Sequence, residues 1–338
     1  MRILITINHP AHVHFFSTII NYLNARGYEL AILATDKENS FKLLDELNIE
    51  YIEIGKHQDS LIKKLTNFTI KWFKMFHFCL KFQPDISMGI ADFYMAQISK
   101  ILRFYSLIFT DTEHVKHDKF LTFPFADFVL TPKCFEKRIG KNHITYDAYH
   151  ELTYLNSNFS PDKNLLGDYG ILNNEKYVLI RLVSWNAAHD IGYNGLSDEQ
   201  LNQLINFLEQ EYRIFISSEK RLPQKFNKYL INIPYNQIHN FLYFSQMYIG
   251  EGATMASEAA ILGTPSIYFN ELKLGYLEEL STEYKIVFLP KKYSEIFDSM
   301  LEVKQNGRDY YRLIRDDILE SKIDPNQFIV NFIEELKQ

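Results

Sequence analysis

Three histidines stand close together near the start of the chain: His9, His12 and His14 in NHPAHVHFF. Imidazole is the side chain best suited to moving protons near neutral pH. The segment follows an apolar run, so it marks the C-terminal end of a strand, where sheet-based sites collect. His14 is read as packing on the sheet, and His12, in the middle of the turn, as the candidate base. An H-x-H pair also suits a metal, but no Asp, Glu or Cys lies near it in sequence, and no metal is expected.

Three further groups carry chemistry. RLVSWNAAHDIGYNGLS, residues 181–197, crowds Arg181, Ser184, Trp185, Asn186, His189 and Asp190 into one loop. Arg181 and His189 can neutralise phosphate charge and Trp185 can stack on a ring. IGEGATMASEAAILGTPSIYF, residues 249–269, opens a helix with Gly250, Gly252, Ala253 and Thr254, all small. A strand-to-helix turn of that kind lets a ligand approach the backbone, and first-turn N–H groups attract an anion. Thr254 and Ser257 add hydroxyls and Glu258 can reach a sugar; the plainer alternative is a turn that only packs a helix on its sheet. TDTEH places Asp111 and Glu113 after another strand, on the same edge as the histidines. Glu151 and Lys220 read as surface charges, and Thr131-Pro132 as a turn.

The elements that must position these groups alternate. Strand-like runs fall at 3–7, 30–34, 51–54, 86–89, 106–109 and 128–130, and again at 177–183, 213–217, 248–249, 265–269 and 286–288. Continuous apolar strands separated by helical patterns predict parallel sheets covered on both faces. The stretch 156–175 is polar and turn-rich and reads as a linker. The fold class expected is α/β with two doubly wound, Rossmann-like domains, 1–165 and 172–320. A final helix, 321–338, is expected to cross back to the first domain. Such domains, facing one another, would align their strand ends along a central cleft.

Composition narrows the classes. The chain has 338 residues, 46% hydrophobic, with a formal net charge of −6, which argues against nucleic acid as a partner. Two cysteines, Cys79 and Cys134, fit a reducing compartment. MRILITINHP shows no signal-peptide pattern and no apolar run is long enough for a membrane span, so a cytoplasmic location is expected. One segment departs from this acidic character. LIKKLTNFTIKWFKMFHFCLKF, residues 61–82, holds five lysines, no acidic residue, and Trp72 and Phe73 among its aromatics. That pattern suits a helix whose lysines face water, and also one lying on an anionic membrane surface at its inner face.

Along nearly its whole length the chain resembles a family of uncharacterised bacterial and archaeal proteins, often encoded among polysaccharide-biosynthesis genes. The matching segments are NHPAHVHFF, PDISMGI, TDTEH, ELTYL followed by Pro-Asp, RLVSWNAAHD and GEGATMASEAAILGTP. The resemblance implies the GT-B architecture of nucleotide-sugar glycosyltransferases and the non-hydrolysing UDP-sugar 2-epimerases. GATMASEAAILGTP is similar to the donor-binding turn of the N-acetylglucosaminyltransferase that forms lipid II. Carried across, this implies Gly252, Ala253, Thr254, Met255 and Ser257 near a donor diphosphate and Glu258 on the ribose. AHV looks like the GHV of those enzymes and implies His12 beside the acceptor hydroxyl, with His9 and His14 on the acceptor side. Ala11 stands where that pattern has glycine.

The activity implied is an inverting, metal-independent hexosyl or N-acetylhexosaminyl transfer. The donor would be a nucleotide-diphosphate sugar, UDP-linked, and the acceptor a cell-surface glycan or lipid-linked molecule, with no cofactor beyond the co-substrate. Two rivals remain: a UDP-sugar 2-epimerase using Asp111 and Glu113, and a nucleotide-sugar-binding protein without turnover.

Overall fold

The computed structural model describes residues 1–37, 40–56, 61–114, 118–172, 175–184 and 195–337, with the side chains of 56 and 61–67 excepted. Two units emerge, Met1–Asn156 with Lys322–Gln338, and Ser157–Ser321. The stretch read as a linker therefore belongs, from Ser157 onward, to the second unit. Part of it coils into a 3-10 turn, Lys163–Tyr169, capped by the Asp162 carboxylate.

In the first unit β1 (Arg2–Ile7) leads into α1 (Pro10–Ala25), then β2 (Glu29–Asp36), α2 (Ser40–Glu46) and β3 (Ile52–Lys56). The chain returns through α3 (Leu61–Phe82) to β4 (Ile86–Ile90), α4 (Phe93–Leu102), β5 (Tyr105–Phe109) and α5 (Asp118–Leu121). β6 (Phe128–Pro132) and β7 (His143–Tyr146) complete a parallel sheet in the order β3-β2-β1-β4-β5-β6-β7. Right-handed crossovers put α1 and α2 on one face and α3, α4 and α5 on the other. Thr131 and Pro132, read as a turn, instead end β6 and pair with Thr145 and Tyr146 of the edge strand.

α1 shows why the sequence folds as it does. Pro10 sits at its first position, where a missing N–H costs nothing, and Val13, Phe16, Ile19, Ile20 and Leu23 recur on its buried face. Gly27, at φ +74°, turns the chain out of the helix in a conformation a side chain would strain.

The second unit runs β8 (Tyr177–Leu182), α6 (Asp198–Leu208), β9 (Arg213–Ser218), α7 (Ile238–Phe244) and β10 (Tyr248–Gly250). It continues with α8 (Ala253–Ile261), β11 (Ser266–Tyr268), α9 (Gly275–Thr282), β12 (Val287–Phe288) and α10 (Tyr293–Ser321). α10 breaks at Gly307, whose φ is +74°. The sheet is parallel in the order β12-β11-β10-β8-β9. The last helix, α11 (Pro325–Glu335), belongs to the first unit, where it packs on α1 and Asn326 Nδ2 donates to the Thr153 carbonyl at 2.9 Å. In each sheet the strand order reverses beside the first strand, between β1 and β4 and between β8 and β10. Ligands of doubly wound sheets bind at the strand C-termini of such reversals.

Candidate functional site

In the first unit the turn after β1 is held by its own side chains. His9 caps α1, its Nδ1 accepting from the Ala11 N–H at 3.2 Å, and His12 Nδ1 accepts from the Asn8 N–H at 3.4 Å. Asn8 Oδ1 in turn accepts from Thr35 Oγ1 at 3.0 Å and from Lys71 Nζ at 2.8 Å. Lys71 also donates to Thr35 Oγ1 at 2.7 Å and lies 4.9 Å from the Tyr94 ring centroid. This lysine was read as one of the charges along the α3 segment. It reaches inward instead, and burial lowers its pKa, with Asp92 opposing the shift.

His12 keeps some accessible surface, but its ring is closely surrounded. Burial holds its pKa well below the usual imidazole value, helped by His9, Lys37, His150 and Lys71. The ring is therefore neutral at pH 7. With Nδ1 accepting from Asn8, its proton sits on Nε2, which makes that nitrogen a donor. This works against the expectation that His12 is the base.

Asp111 offers the alternative. Its Oδ2 lies 3.3 Å from His150 Nδ1, and its Oδ1 accepts from Thr112 Oγ1 at 2.9 Å. His150 is buried against Phe15 and Tyr146, and burial lowers its pKa against the pull of Asp111. The Asp111 carboxylate itself keeps part of its surface open. His14 stacks on Tyr154 at 5.2 Å, and the described contacts of Glu113 run to Glu136 and Lys137. Glu151, read as surface, is buried.

In the second unit the turn from β10 to α8 is tightly drawn. A Cβ on Gly250 would come within 2.5 Å of Tyr248 Oη and 2.7 Å of the Arg181 carbonyl, so only glycine fits. Gly252 is the N-cap and supplies no capping side chain. Thr254 is exposed and Ala253 and Met255 are half-buried, so small residues surround the open end of the helix. Ser257 corrects expectation: it is fully buried and its hydroxyl turns back to the Thr254 carbonyl at 2.9 Å. Glu258 is also buried, its Oε1 3.0 Å from His239 Nε2, so its carboxylate is already held within the unit.

The loop after β8 is anchored by carboxylates. Arg181 donates to Ser217 Oγ at 2.7 Å and pairs with Glu219, which accepts from the Ser184 N–H at 3.1 Å. Its charge is thus matched internally, where the sequence suggested it was free for phosphate. Glu251, fully buried, accepts from the Val183 N–H at 3.0 Å and the Leu196 N–H at 2.7 Å. One side chain therefore fixes both ends of the segment that includes Trp185, Asn186, His189 and Asp190, residues outside the described ones. Lys220, read as surface, stands 4.0 Å from Glu251 and donates to the Leu196 carbonyl. Sequence reasoning missed Glu251, His150, His239 and the inward course of Lys71. Only the place of Glu251, directly after a strand at the sheet's reversal, could have signalled one of them. Among the described residues no three His, Cys, Asp or Glu side chains gather in a way that could hold a metal.

Two Rossmann-like units, each with its polar cluster at the reversal of a parallel sheet, define a GT-B type fold. The chain belongs to the family described as protein of unknown function DUF354, whose profile matches residues 1–330. It is 23% identical over 278 residues to the uncharacterized protein MJ0665 of Methanocaldococcus jannaschii, covering 79% of this chain and 81% of that one. The fold is similar to UDP-GlcNAc 2-epimerase from Neisseria meningitidis bound to UDP-GlcNAc, at TM-score 0.68 and 11% identity, over 99% of this chain and 100% of that one. It is equally similar to the spinosyn forosaminyltransferase SpnP, at TM-score 0.68 and 13% identity, over 100% of both chains.

Proposed function

We propose that the protein is a glycosyltransferase that takes a sugar from a nucleotide-diphosphate donor, UDP-linked, to a surface-glycan or lipid-linked acceptor. The observation that carries this reading is the uncapped, small-residue N-terminus of α8 at the reversal of the second sheet. Backbone amides there can cradle a diphosphate and stabilise it as it leaves, without a metal. In the first unit, Asp111 takes the proton of the acceptor hydroxyl and His12 orients that hydroxyl through Nε2–H. The new bond forms from the acceptor oxygen to the anomeric carbon, the bond to the diphosphate oxygen breaks, and configuration inverts.

Replacing Asp111 by Asn should lower kcat by about 100- to 10,000-fold with little change in donor KM. His12→Gln should cost less than Asp111→Asn. The reverse order would return the base role to His12.

The 2-epimerase reading keeps one observation in its favour, the equal structural similarity to an epimerase. Mass spectrometry of the products separates the two, since epimerisation leaves a sugar nucleotide of unchanged mass.

The same proposal gives α3 a membrane-facing role. Trp72 and Phe76 pack against the core cluster that includes Met75 and Cys79, while Ile70, Phe73 and Leu80 are exposed, as are Lys74 and Lys81. Among the described residues no helix is long and apolar enough to cross a membrane. An apolar stripe with lysines suits the surface of anionic lipid.

A further inference from the structure

A groove in the first unit has no part in the chemistry above. Most crossovers of the sheet carry a helix, but β6 and β7 are joined by residues 133–142 with none. The α4–α5 face of the sheet is therefore covered at this end by a loop and by the single turn of α5. Ile139 and Phe123 seal the sheet there by packing on Ile108, Ala126 and Val129. Beyond them lies a cavity of about 680 Å³ with an apolar floor that includes Phe120, Phe123, Pro124 and Phe135.

Its rim is charged, and of one sign for the most part. Among the described residues Lys119, Lys137 and Arg138 line it against one carboxylate, Glu113, and Lys137 donates to the Glu113 backbone carbonyl at 2.5 Å. Arg138 is exposed and makes no hydrogen bond or ion pair with a described residue. Phe120 is 70% exposed, a large apolar surface with no cover in this unit. Phe135, Lys137 and Arg138 also border a second hollow of about 550 Å³, whose other walls are polar and include Glu136, Lys141, His143 and Thr145, so that cations outnumber the one carboxylate there. The two cations thus stand on a ridge between an aromatic groove and a polar hollow. The groove begins at Thr112, next to Asp111.

We infer that this groove holds the apolar chain of a phosphate-bearing amphiphile, with the phosphate on the Lys137–Arg138 ridge. The inference rests on the acceptor reading above, and it names the acceptor as a single lipid phosphate molecule. An aromatic floor supplies apolar burial, and the exposed Arg138 guanidinium supplies a bidentate phosphate contact. A neutral glycan would use neither. A free phosphate would leave the floor uncovered.

The test is calorimetric titration of the full chain with dodecyl phosphate, dodecyl maltoside and inorganic phosphate, the amphiphiles kept below micelle formation. One dodecyl phosphate should bind per chain, and inorganic phosphate at least roughly 100-fold more weakly. Arg138→Glu and Phe120→Ser, both at exposed positions that folding does not depend on, should each weaken dodecyl phosphate by about tenfold. Equal binding of inorganic phosphate overturns the inference in favour of a bare anion site. Equal binding of dodecyl maltoside reduces it to an apolar groove, and binding that both substitutions leave unchanged puts the amphiphile elsewhere. Interaction only with anionic vesicles and not with monomers would assign the face to bilayer docking instead. Nucleotide-sugar binding by the second unit is measured separately, so either reading can fail while the other stands.

Discussion

Glu251 is the residue whose replacement tests the organisation of the second unit most sharply. Its carboxylate is buried and accepts two backbone N–H groups, from Val183 and Leu196, with Lys220 at 4.0 Å. Glu251→Gln keeps the volume but offers one oxygen and one NH2 group where two oxygens stood. One of the two N–H groups then faces a donor and is left buried and unpaired. Hydrogen bonds to a charged group contribute about 1.5–3 kcal/mol each, and an unsatisfied buried donor costs about 1–3 kcal/mol. The loss expected is therefore about 2–3 kcal/mol, which for a unit of this size lowers the melting temperature by about 4–12 °C. Hydrogen exchange should locate the damage, with the Val183 and Leu196 amides exchanging faster while those of β1 and β2 are unchanged. A variant that melts within about 1 °C of the wild type, with both amides still protected, would refute the argument.

Two other outcomes follow from the first unit. The pKa of His12 is depressed by folding, so the unfolded chain binds a proton that the folded chain does not, once pH drops below the ordinary imidazole range. The stability from neutral His12 is complete above about pH 6.5 and is lost as pH falls toward the lower folded value. His12→Gln should therefore show a smaller drop in melting temperature between pH 7.5 and pH 5 than the wild type; an equal drop would show that His12 is not buried neutral. On α3, Phe73→Glu with Lys74→Glu should weaken sedimentation with anionic vesicles by at least about tenfold, at unchanged melting temperature. Undiminished binding would reject the membrane role. Lys71 is left out of that variant because it holds Asn8 and Thr35.

Much of the framework was legible because buried parallel strands announce themselves. Ile3–Ile5 and Tyr177–Ile180 are continuous apolar runs bounded by polar residues, the pattern of a buried strand. β7 escaped notice because HITY is short and lies at the sheet edge, where only one neighbour constrains it. Pro132 misled for a related reason: proline suggests a turn, yet here it is the last residue of β6. The small residues at Gly250–Thr254 were readable because close packing demands them locally. The pairings were not. Glu251 finds its partners 55 and 68 residues away, and Glu258 meets His239 from a neighbouring helix, so nothing in the adjacent sequence distinguishes either from a surface carboxylate. Lys71 was misjudged because spacing along a helix gives the face of a residue but not where a four-carbon side chain ends.

The central claim is that the first turn of α8 holds a donor diphosphate, and Thr254→Asp tests it. Thr254 is exposed, and a carboxylate in the first turn of a helix favours the helix itself, so folding should be unharmed. The added negative charge would occupy the position proposed for the diphosphate. Titration with UDP and a panel of UDP-sugars should show binding to the wild type and a roughly 10- to 100-fold loss in the variant, with its melting temperature unchanged or raised. Binding that survives the substitution, or a wild-type protein that binds none of these ligands, would contradict the account and leave the small residues at the start of α8 a packing role alone.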